Sequence, residues 1–430
     1  MAADESWGRW PRCRQRVLPL VDRQRALPEF EGTALPRGNG RSYGDSCLNP
    51  DGTLLDARAL DRFIAFDPAS GVLRAEAGLL LSAVLDLAVP QGWFLPVTPG
   101  TRHVTLGGAL ANDVHGKNHH AAGTFGHHVR AFELLRSDGT RVVCTPAANA
   151  DWFAATCGGL GLTGLITWIE LQLRRIPGPA MEVESVRFGA LDDFFALSRA
   201  SAATHEYTVA WIDCLATGAR LGRGHFLRAD HSAAPAPAAP RGVLAMPLVP
   251  PLSLVNRATL RPFNNLYFHR QRRARQRATL HYAPYFYPLD GIAHWNRMYG
   301  PRGFLQHQCV IPPAAARDAV AQMLGEIARS GRGSFLAVLK EFGPRPSPGL
   351  LSFARPGTTL ALDFPNDGAP TFELLNRLDA IVMAAGGAIY PAKDARMSAA
   401  SFRAGYPRLA EFRRFVDPRF SSGLWRRILE

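Results

Sequence analysis

The sequence predicts an α+β fold of two domains, and three observations carry that expectation. A chain of 430 residues is too long for one ordinary hydrophobic core, while 47% apolar and 20% charged residues make an ordinary globular balance. Over residues 37 to about 176, Gly-rich loops alternate with short strand-like and helix-like runs, the pattern of a compact α/β region. After Pro177 the composition shifts, and residues 304–311, 334–339 and 358–364 read as strands of a second, sheet-rich domain.

In the first region residues 72–76 resemble a strand. Residues 79–88 then carry Leu81, Val84, Leu85 and Ala88 at helical spacing and stop at Pro90 and Gly92. Residues 132–135 and 141–144 flank Ser137-Asp138-Gly139, a hairpin signal because Asp-Gly tolerates positive φ. Residues 150–156 read as a helix, and 166–173 alternate as a strand should. The stretch 231–277, with its run AAPAPAAP and its cluster HRQRRARQR, reads as a mobile or membrane-facing excursion rather than core. The expected division is residues 1–178, residues 179–388, and a motif-like tail over 389–430.

The formal net charge of +13 implies a field that attracts phosphates, anionic lipid or nucleic acid, and says nothing about fold. Specific nucleic-acid binding is disfavoured, because the cations do not interleave with aromatics in a recognised module. The six cysteines (Cys13, Cys47, Cys144, Cys157, Cys214, Cys309) include no Cys-x-x-Cys pair, so neither a zinc ribbon nor a disulfide framework is indicated. The chain opens without the apolar stretch of a secretory signal, and no segment approaches the roughly 20 apolar residues that cross a bilayer. The nearest candidate, 242–255, is short and interrupted by Pro247, Pro250 and Pro251, though it could touch a membrane surface. The expected location is cytoplasmic or peripheral to the inner membrane, with the periplasm left open.

Four glycine loops carry the strongest chemical signal: Gly38-Asn39-Gly40-Arg41-Ser42-Tyr43-Gly44-Asp45, Pro99-Gly100-Thr101, Thr105-Leu106-Gly107-Gly108, and residues 158–164. Backbone free of side chains lets amide N–H groups converge on a pyrophosphate, so repeated loops suggest a dinucleotide cofactor. Residues 159–164 spell G-x-G-x-x-G, but a helix-like run precedes them and a strand-like run follows. That is the reverse of the Rossmann context.

These loops, with TLGGALANDVHGKNHH, GTFGHHVR and GGLGLTGLI, resemble the FAD domain of the vanillyl-alcohol oxidase and p-cresol methylhydroxylase superfamily. HGKNHH and YPAKD, with AWIDC, FLAVLKEFGPR and ALDFP, extend the resemblance over nearly the whole chain to one family within it. That family is the decaprenylphosphoryl-β-D-ribose oxidases, flavin subunits of the epimerase that supplies arabinose donors for mycobacterial cell walls. The resemblance implies a second domain built on an antiparallel sheet flanked by helices, and a tail that returns to the FAD domain. It implies that the backbone of Gly38, Asn39, Gly40, Arg41 and Ser42 and the Gly107-Gly108 turn hold the pyrophosphate. Asn112 and His115 would lie along the cofactor and Ile166 near its adenine end, with Gly44, Gly100, Thr105 and Tyr390 also in the cofactor site. Tyr43, His115, Lys117, Trp211, Gln306, Gln308, Lys340, Tyr390 and Lys393 would line the cavity at the isoalloxazine, with Asp363 as a buttress. Asp45 stands where covalent members carry a flavin-linking His, so FAD is expected to be tight but non-covalent.

One feature of the composition supports the same site. Of 49 basic residues only three are lysines, Lys117, Lys340 and Lys393, and all three fall in these motifs. A lysine is a compact charge whose pKa burial can lower, whereas a guanidinium is broad and effectively always charged. Oxidation of a carbinol needs a hydride acceptor, a base for the hydroxyl proton, and a cation beside the charge that develops on reduced flavin. Lys393 suits the last role, and His115, Lys117 or Tyr43 the proton. Gln306 and Gln308, two apart on a strand, would bond sugar hydroxyls from one face. The six histidines between His103 and His128 lack nearby Cys or a helical His-x-x-x-His with a carboxylate, so no metal is expected.

The chain departs from its mycobacterial relatives at Thr359 and Ala361, where they carry Asn and Cys. The implied partners are a polyprenyl-phosphate sugar, a short-chain NADH-dependent reductase, a quinone-like electron acceptor and a membrane surface. The competing expectations are a soluble alditol or aldonolactone oxidase and a non-catalytic flavin-binding scaffold.

Overall fold

Period-two alternation along Phe304–Ile311 puts Gln306 and Gln308 on one face of a sheet and His307 on the other, where it bonds Asp379 at 3.1 Å. The computed structural model describes residues 5–239 and 242–429. Among them the largest sheet has eight strands, in the order Arg275–His281, Ala180–Phe188, Gly224–Ser232, Tyr207–Ile212, Ala337–Phe342, Gly357–Pro365, Phe304–Ile311 and Ala388–Ile389. Every pairing in it is antiparallel. Helices Leu191–Ser201, Pro313–Ser330 and Ala369–Ala384 cover one face, burying Phe194, Val320 and Leu374 in one core with Leu339, Leu360 and Leu362. The other face is left for Trp211, Val338, Lys340, Ala361 and Gln308, which form a row across four neighbouring strands.

The first region holds a five-stranded antiparallel sheet in the order Phe63–Asp67, Val72–Glu76, Leu165–Gln172, Val129–Leu135 and Arg141–Cys144. The Asp138-Gly139 hairpin forms as its sequence predicts, with Gly139 at φ +85°. The expected helix over 79–88 forms as Leu81–Ala88, and Gly92 at φ +78° turns the chain after it. A three-stranded parallel sheet, Arg16–Pro19, Thr53–Asp56 and Ala34–Arg37, lies before it in sequence.

Two expectations need correction. Gly107 and Gly108 are the first turn of a helix, Leu106–Ala111, rather than a turn, because the Thr105 hydroxyl caps it by accepting the Gly108 N–H at 3.1 Å. The stretch 231–277 is not irregular throughout. It contains helix Arg257–His269, capped by Asn256, and the start of strand Arg275–His281, the edge of the eight-stranded sheet. Residues 240 and 241 of that stretch lie outside the described residues.

The tail packs on the first region: Ser421 donates to the Ala34 carbonyl at 2.9 Å and Gly423 to that of Leu48 at 2.9 Å. Among the described residues no helix is long and apolar enough to cross a membrane.

Candidate active site

The first glycine loop sits against the helix that begins at Leu106 because two of its residues lack side chains. A Cβ on Gly38 would lie 2.2 Å from the Thr105 hydroxyl oxygen, and Gly40 holds φ +59°. The loop is tied further by the Asn39 amide, which donates to the His103 carbonyl at 2.8 Å. Between this loop, the turn at Gly100, the Leu106–Ala111 helix and the open face of the large sheet lies a cavity of about 1000 Å³. That is the upper end of the usual range for ligand clefts.

Lys117, Lys340 and Lys393 all line it. The Lys117 ammonium donates to the Tyr285 carbonyl and sits 4.3 Å from the Tyr285 ring centre. Burial, with Lys340 nearby, pushes its pKa down from 10.5 to about 7. Lys340 reaches the Gly116 carbonyl at 3.5 Å, and burial lowers it to about 8. Lys393 lies over the Tyr43 ring at 3.7 Å; burial lowers its pKa and the Asp363 carboxylate opposes that. The Tyr43 phenol is raised well above its ordinary value by burial and by Asp363, so it stays protonated.

His115 is held between the two domains. The Gln308 amide nitrogen donates to its Nε2 at 3.0 Å and also reaches the Thr359 hydroxyl at 3.3 Å. That assignment leaves the proton on Nδ1, which has no partner among the described residues. Burial and then Lys340 push the imidazole well below its ordinary pKa, so it is neutral. The Tyr390 hydroxyl donates to the Asn112 carbonyl at 3.0 Å, and the Asn112 amide to that of Gly108 at 2.8 Å.

The wall is strongly cationic. Among the described residues, Arg37, Arg41, Arg58, Arg102, Arg270 and the three lysines line it, against one carboxylate, Asp290. The Arg41 guanidinium stacks 4.1 Å over Trp7 and is lowered from its ordinary pKa by burial. Arg41 Nε, Arg102 Nε, Ser46 Oγ and His115 Nδ1 are buried polar atoms on this wall without partners among the described residues. Buried donors of that kind call for a ligand with acceptor atoms. A dinucleotide with a pyrophosphate meets the charge, the volume and the orphaned donors together.

Residues 21–145 match the model of the FAD binding domain family. The chain is 37% identical over 98% of its length, and 96% of the relative's, to the decaprenylphosphoryl-β-D-ribose oxidase of Mycolicibacterium smegmatis. The chain belongs to the decaprenylphosphoryl-β-D-ribose oxidase family. It is thus an FAD-dependent oxidoreductase, and the cavity fits that cofactor. It is also 37% identical, over 81% of its length and all of the relative's, to the "Uncharacterized protein in mprA 5'region" of Streptomyces coelicolor. Similarity to human Delta(24)-sterol reductase, 31% identical, covers only 28% of this chain and 23% of that one.

Most residues that the family motifs nominate meet in this one cavity. Gly38, Asn39, Gly40, Arg41, Ser42, Tyr43, Gly100, Thr105, Gly107, Gly108, Asn112, His115 and Ile166 line it from the first region, and Trp211, Gln306, Gln308, Lys340, Tyr390 and Lys393 from the other side. Two nominated residues do not line it. Gly44 is packed where a Cβ would lie 2.0 Å from the Asp394 carbonyl oxygen, which makes it a contact between loops. Asp363 is buried behind the wall, accepting from the Gln306 amide at 2.5 Å and from the Tyr299 hydroxyl at 3.4 Å, so it orients Gln306 instead of facing a ligand. Of the clustered histidines, His120 and His128 bond backbone carbonyls, at 2.9 and 3.0 Å, and His119 accepts the Gly343 N–H at 3.1 Å.

Trp7, Tyr267, Tyr285, Asp290 and Trp295 also line the cavity, although the motifs nominate none of them as site residues. Asp290 and Trp295 do fall in PLDGIAHWNRMYGPRGFLQHQ, a string that fits the family, and Tyr285 lies just before it.

Proposed function

We propose that this oxidoreductase takes a polyprenylphosphoryl-β-D-ribose and oxidises its 2′-hydroxyl to the 2′-keto sugar, the first half of epimerisation to an arabinose donor. The observation that carries this reading is the convergence of the chain's three lysines with Gln306 and Gln308 on one cationic cavity. The glutamines supply donors and acceptors for pentose hydroxyls, and the arginines suit a phosphate. A short-chain NADH-dependent reductase would complete the epimerisation, and a quinone-like acceptor would reoxidise the cofactor.

Bound FAD supplies the hydride acceptor. The protein's part is to orient the sugar, hold a cation and move the hydroxyl proton. Lys393 is the cation, a compact ammonium seated 3.7 Å over the Tyr43 ring. Lys117 is the proton acceptor: at about pH 7 half of its amine is neutral, which matches a base to the working pH. His115 and Gln308 form the rigid floor on which the pentose rests. Tyr43, kept protonated, can hydrogen-bond the substrate but does not serve as its base.

FAD is taken to be held non-covalently, because Asp45, bonded by Arg427, stands where covalent members of the superfamily carry a flavin-linking His. The test is anaerobic addition of farnesylphosphoryl ribose to the purified protein. The visible flavin absorption should bleach, and bleaching by free xylitol or arabinonolactone should be far slower. Lys393→Ala should slow bleaching by about 10²–10³-fold, the usual loss for one electrostatic group at a site of developing charge. Faster reduction by the free polyols would overturn the substrate.

A further inference from the structure

Between Asp230 and Asp290 the sequence holds eight arginines and no acidic residue. The same stretch also gathers large apolar side chains at the surface. Among the described residues, eight of the twelve large apolar side chains that stand exposed fall between Val243 and Leu266. Leu244, Leu248 and Leu252 are 75%, 76% and 79% exposed, and Leu266 is 72% exposed. A folded protein has no reason to gather such residues in water unless something covers them.

The patch is held in place beside the cavity mouth. Leu244–Ala245 pairs with Ile292–Ala293, and Arg297 donates to the carbonyls of Met246 and Pro247 at 3.0 and 2.9 Å. Val243, Ile292, Tyr267 and Arg270 belong at once to this surface and to the cavity wall. An aromatic series leads the same way: Trp211 meets Tyr267 at 4.5 Å, Tyr267 meets Phe263 at 5.8 Å, and Phe263 is 37% exposed. On helix Arg257–His269, Phe263 and Leu266 are three residues apart and share a face.

The arginines set the chemistry of what covers the patch. Among the described residues Arg257, Arg261, Arg270, Arg272, Arg273 and Arg275 have no carboxylate within ion-pair distance, and Arg277 pairs with Glu184 at 3.0 Å. Charge on an edge strand would account for Arg275 and Arg277, which blunt unwanted strand pairing. It would not account for exposed leucines beside them. Exposed apolar side chains and cations without a carboxylate partner in one stretch of chain match an anionic lipid headgroup layer with acyl chains beneath.

We infer that the surface formed by residues 243–254 and helix Arg257–His269 docks the protein on an anionic phospholipid leaflet, with the cavity mouth facing the lipid. This rests on the surface alone and not on the identity of the sugar. Vesicles contain no ribose, so loss of docking and loss of the proposed oxidation are separate results.

The experiment is flotation of the FAD-loaded full chain with vesicles of phosphatidylcholine alone or mixed equally with phosphatidylglycerol. The protein should float with the anionic vesicles and largely stay behind with the neutral ones. Raising ionic strength from about 0.05 to about 0.5 M should weaken binding, because the screening length shortens severalfold. The triple variant Leu244→Asp, Leu248→Asp, Leu252→Asp should bind about tenfold or more weakly while keeping its flavin absorption. The pair Arg272→Ser, Arg273→Ser should lose the preference for anionic vesicles. Wild-type protein that ignores anionic vesicles would overturn the inference, as would variants that float equally well. A wild-type dimer that does not float, and that the leucine variant turns into a monomer, would also overturn it, since a second copy would then be the cover.

Discussion

Lys117 shows how a single residue couples function to stability. Its ammonium is taken out of water beside a carbonyl and two aromatic faces, with Lys340 nearby, and its pKa falls from 10.5 to about 7. Between those two values the unfolded chain holds a proton that the folded chain does not, so stability from this group rises with pH across that window and is lowest below about pH 7. Lys117→Met should therefore raise the apoprotein's stability by about 1 kcal/mol or more at pH 6, and by less at pH 9. The same variant should slow substrate-driven flavin reduction by about 10²–10⁴-fold and remove the rise of kcat/KM with pH through neutrality. Chemical denaturation at the two pH values and a pH–rate profile check both halves. Ala361 makes a second prediction at this scale. It lines the cavity opposite Gln308 and Val338, where mycobacterial relatives carry Cys. Nitroaromatic inhibitors that capture that thiol should leave the wild-type mass unchanged, and Ala361→Cys should restore an adduct in the intact mass.

Whole elements meet at the cavity through close backbone approach. The first glycine loop meets the capped end of Leu106–Ala111 at Gly38, where a Cβ would lie 2.2 Å from the Thr105 hydroxyl. Gly38→Ala must push loop and helix apart, at a cost of about 1–3 kcal/mol, the usual range for overpacking. The purified variant should be pale, with a lowered melting temperature that added FAD recovers only in part. A variant as yellow and as stable as the wild type would show that the loop's approach is not what positions it. This element-scale geometry was legible in sequence because glycine is the only residue that permits it, and strands such as Val72–Glu76 and Phe304–Ile311 were legible because burial on one face imposes alternation. Helix Arg257–His269 was not. It carries Pro262 inside, and its buried face is Leu260, Asn264 and Phe268, so a polar residue interrupts the apolar stripe. Strand Arg275–His281 was hidden for a related reason: as a sheet edge with five exposed residues it needs no alternation. The lysines and glutamines of the site could be read from motifs. Tyr285, Tyr267 and Trp7 could not, because only the closing of the chain brings them to the cavity.

At the scale of the molecule, the site depends on joining distant parts of the chain, and one arginine near the C-terminus does much of that joining. Arg427, on helix Gly423–Leu429, donates to both Asp45 carboxylate oxygens at 3.1 and 2.7 Å and to Asp394 at 3.1 Å, and also meets the Met397 carbonyl. Asp45 ends the first glycine loop and Asp394 follows Lys393, so this link holds that loop against the segment that carries Lys393. Both carboxylates are buried, 6% and 4% exposed. Burial already raises the Asp45 pKa, with Arg427 opposing it. Arg427→Met would leave two buried carboxylates without their cation, a loss of about 3–5 kcal/mol by the usual cost of breaking a buried pair. Asp45, its pKa already raised by burial, would then take up a proton more readily in the folded state, so the loss should be smaller at pH 5 than at pH 8. Thermal melting at both pH values, with flavin retention on dilution, checks the argument. A variant that melts like the wild type at pH 8 and keeps its flavin would show that the two loops are held together by packing alone.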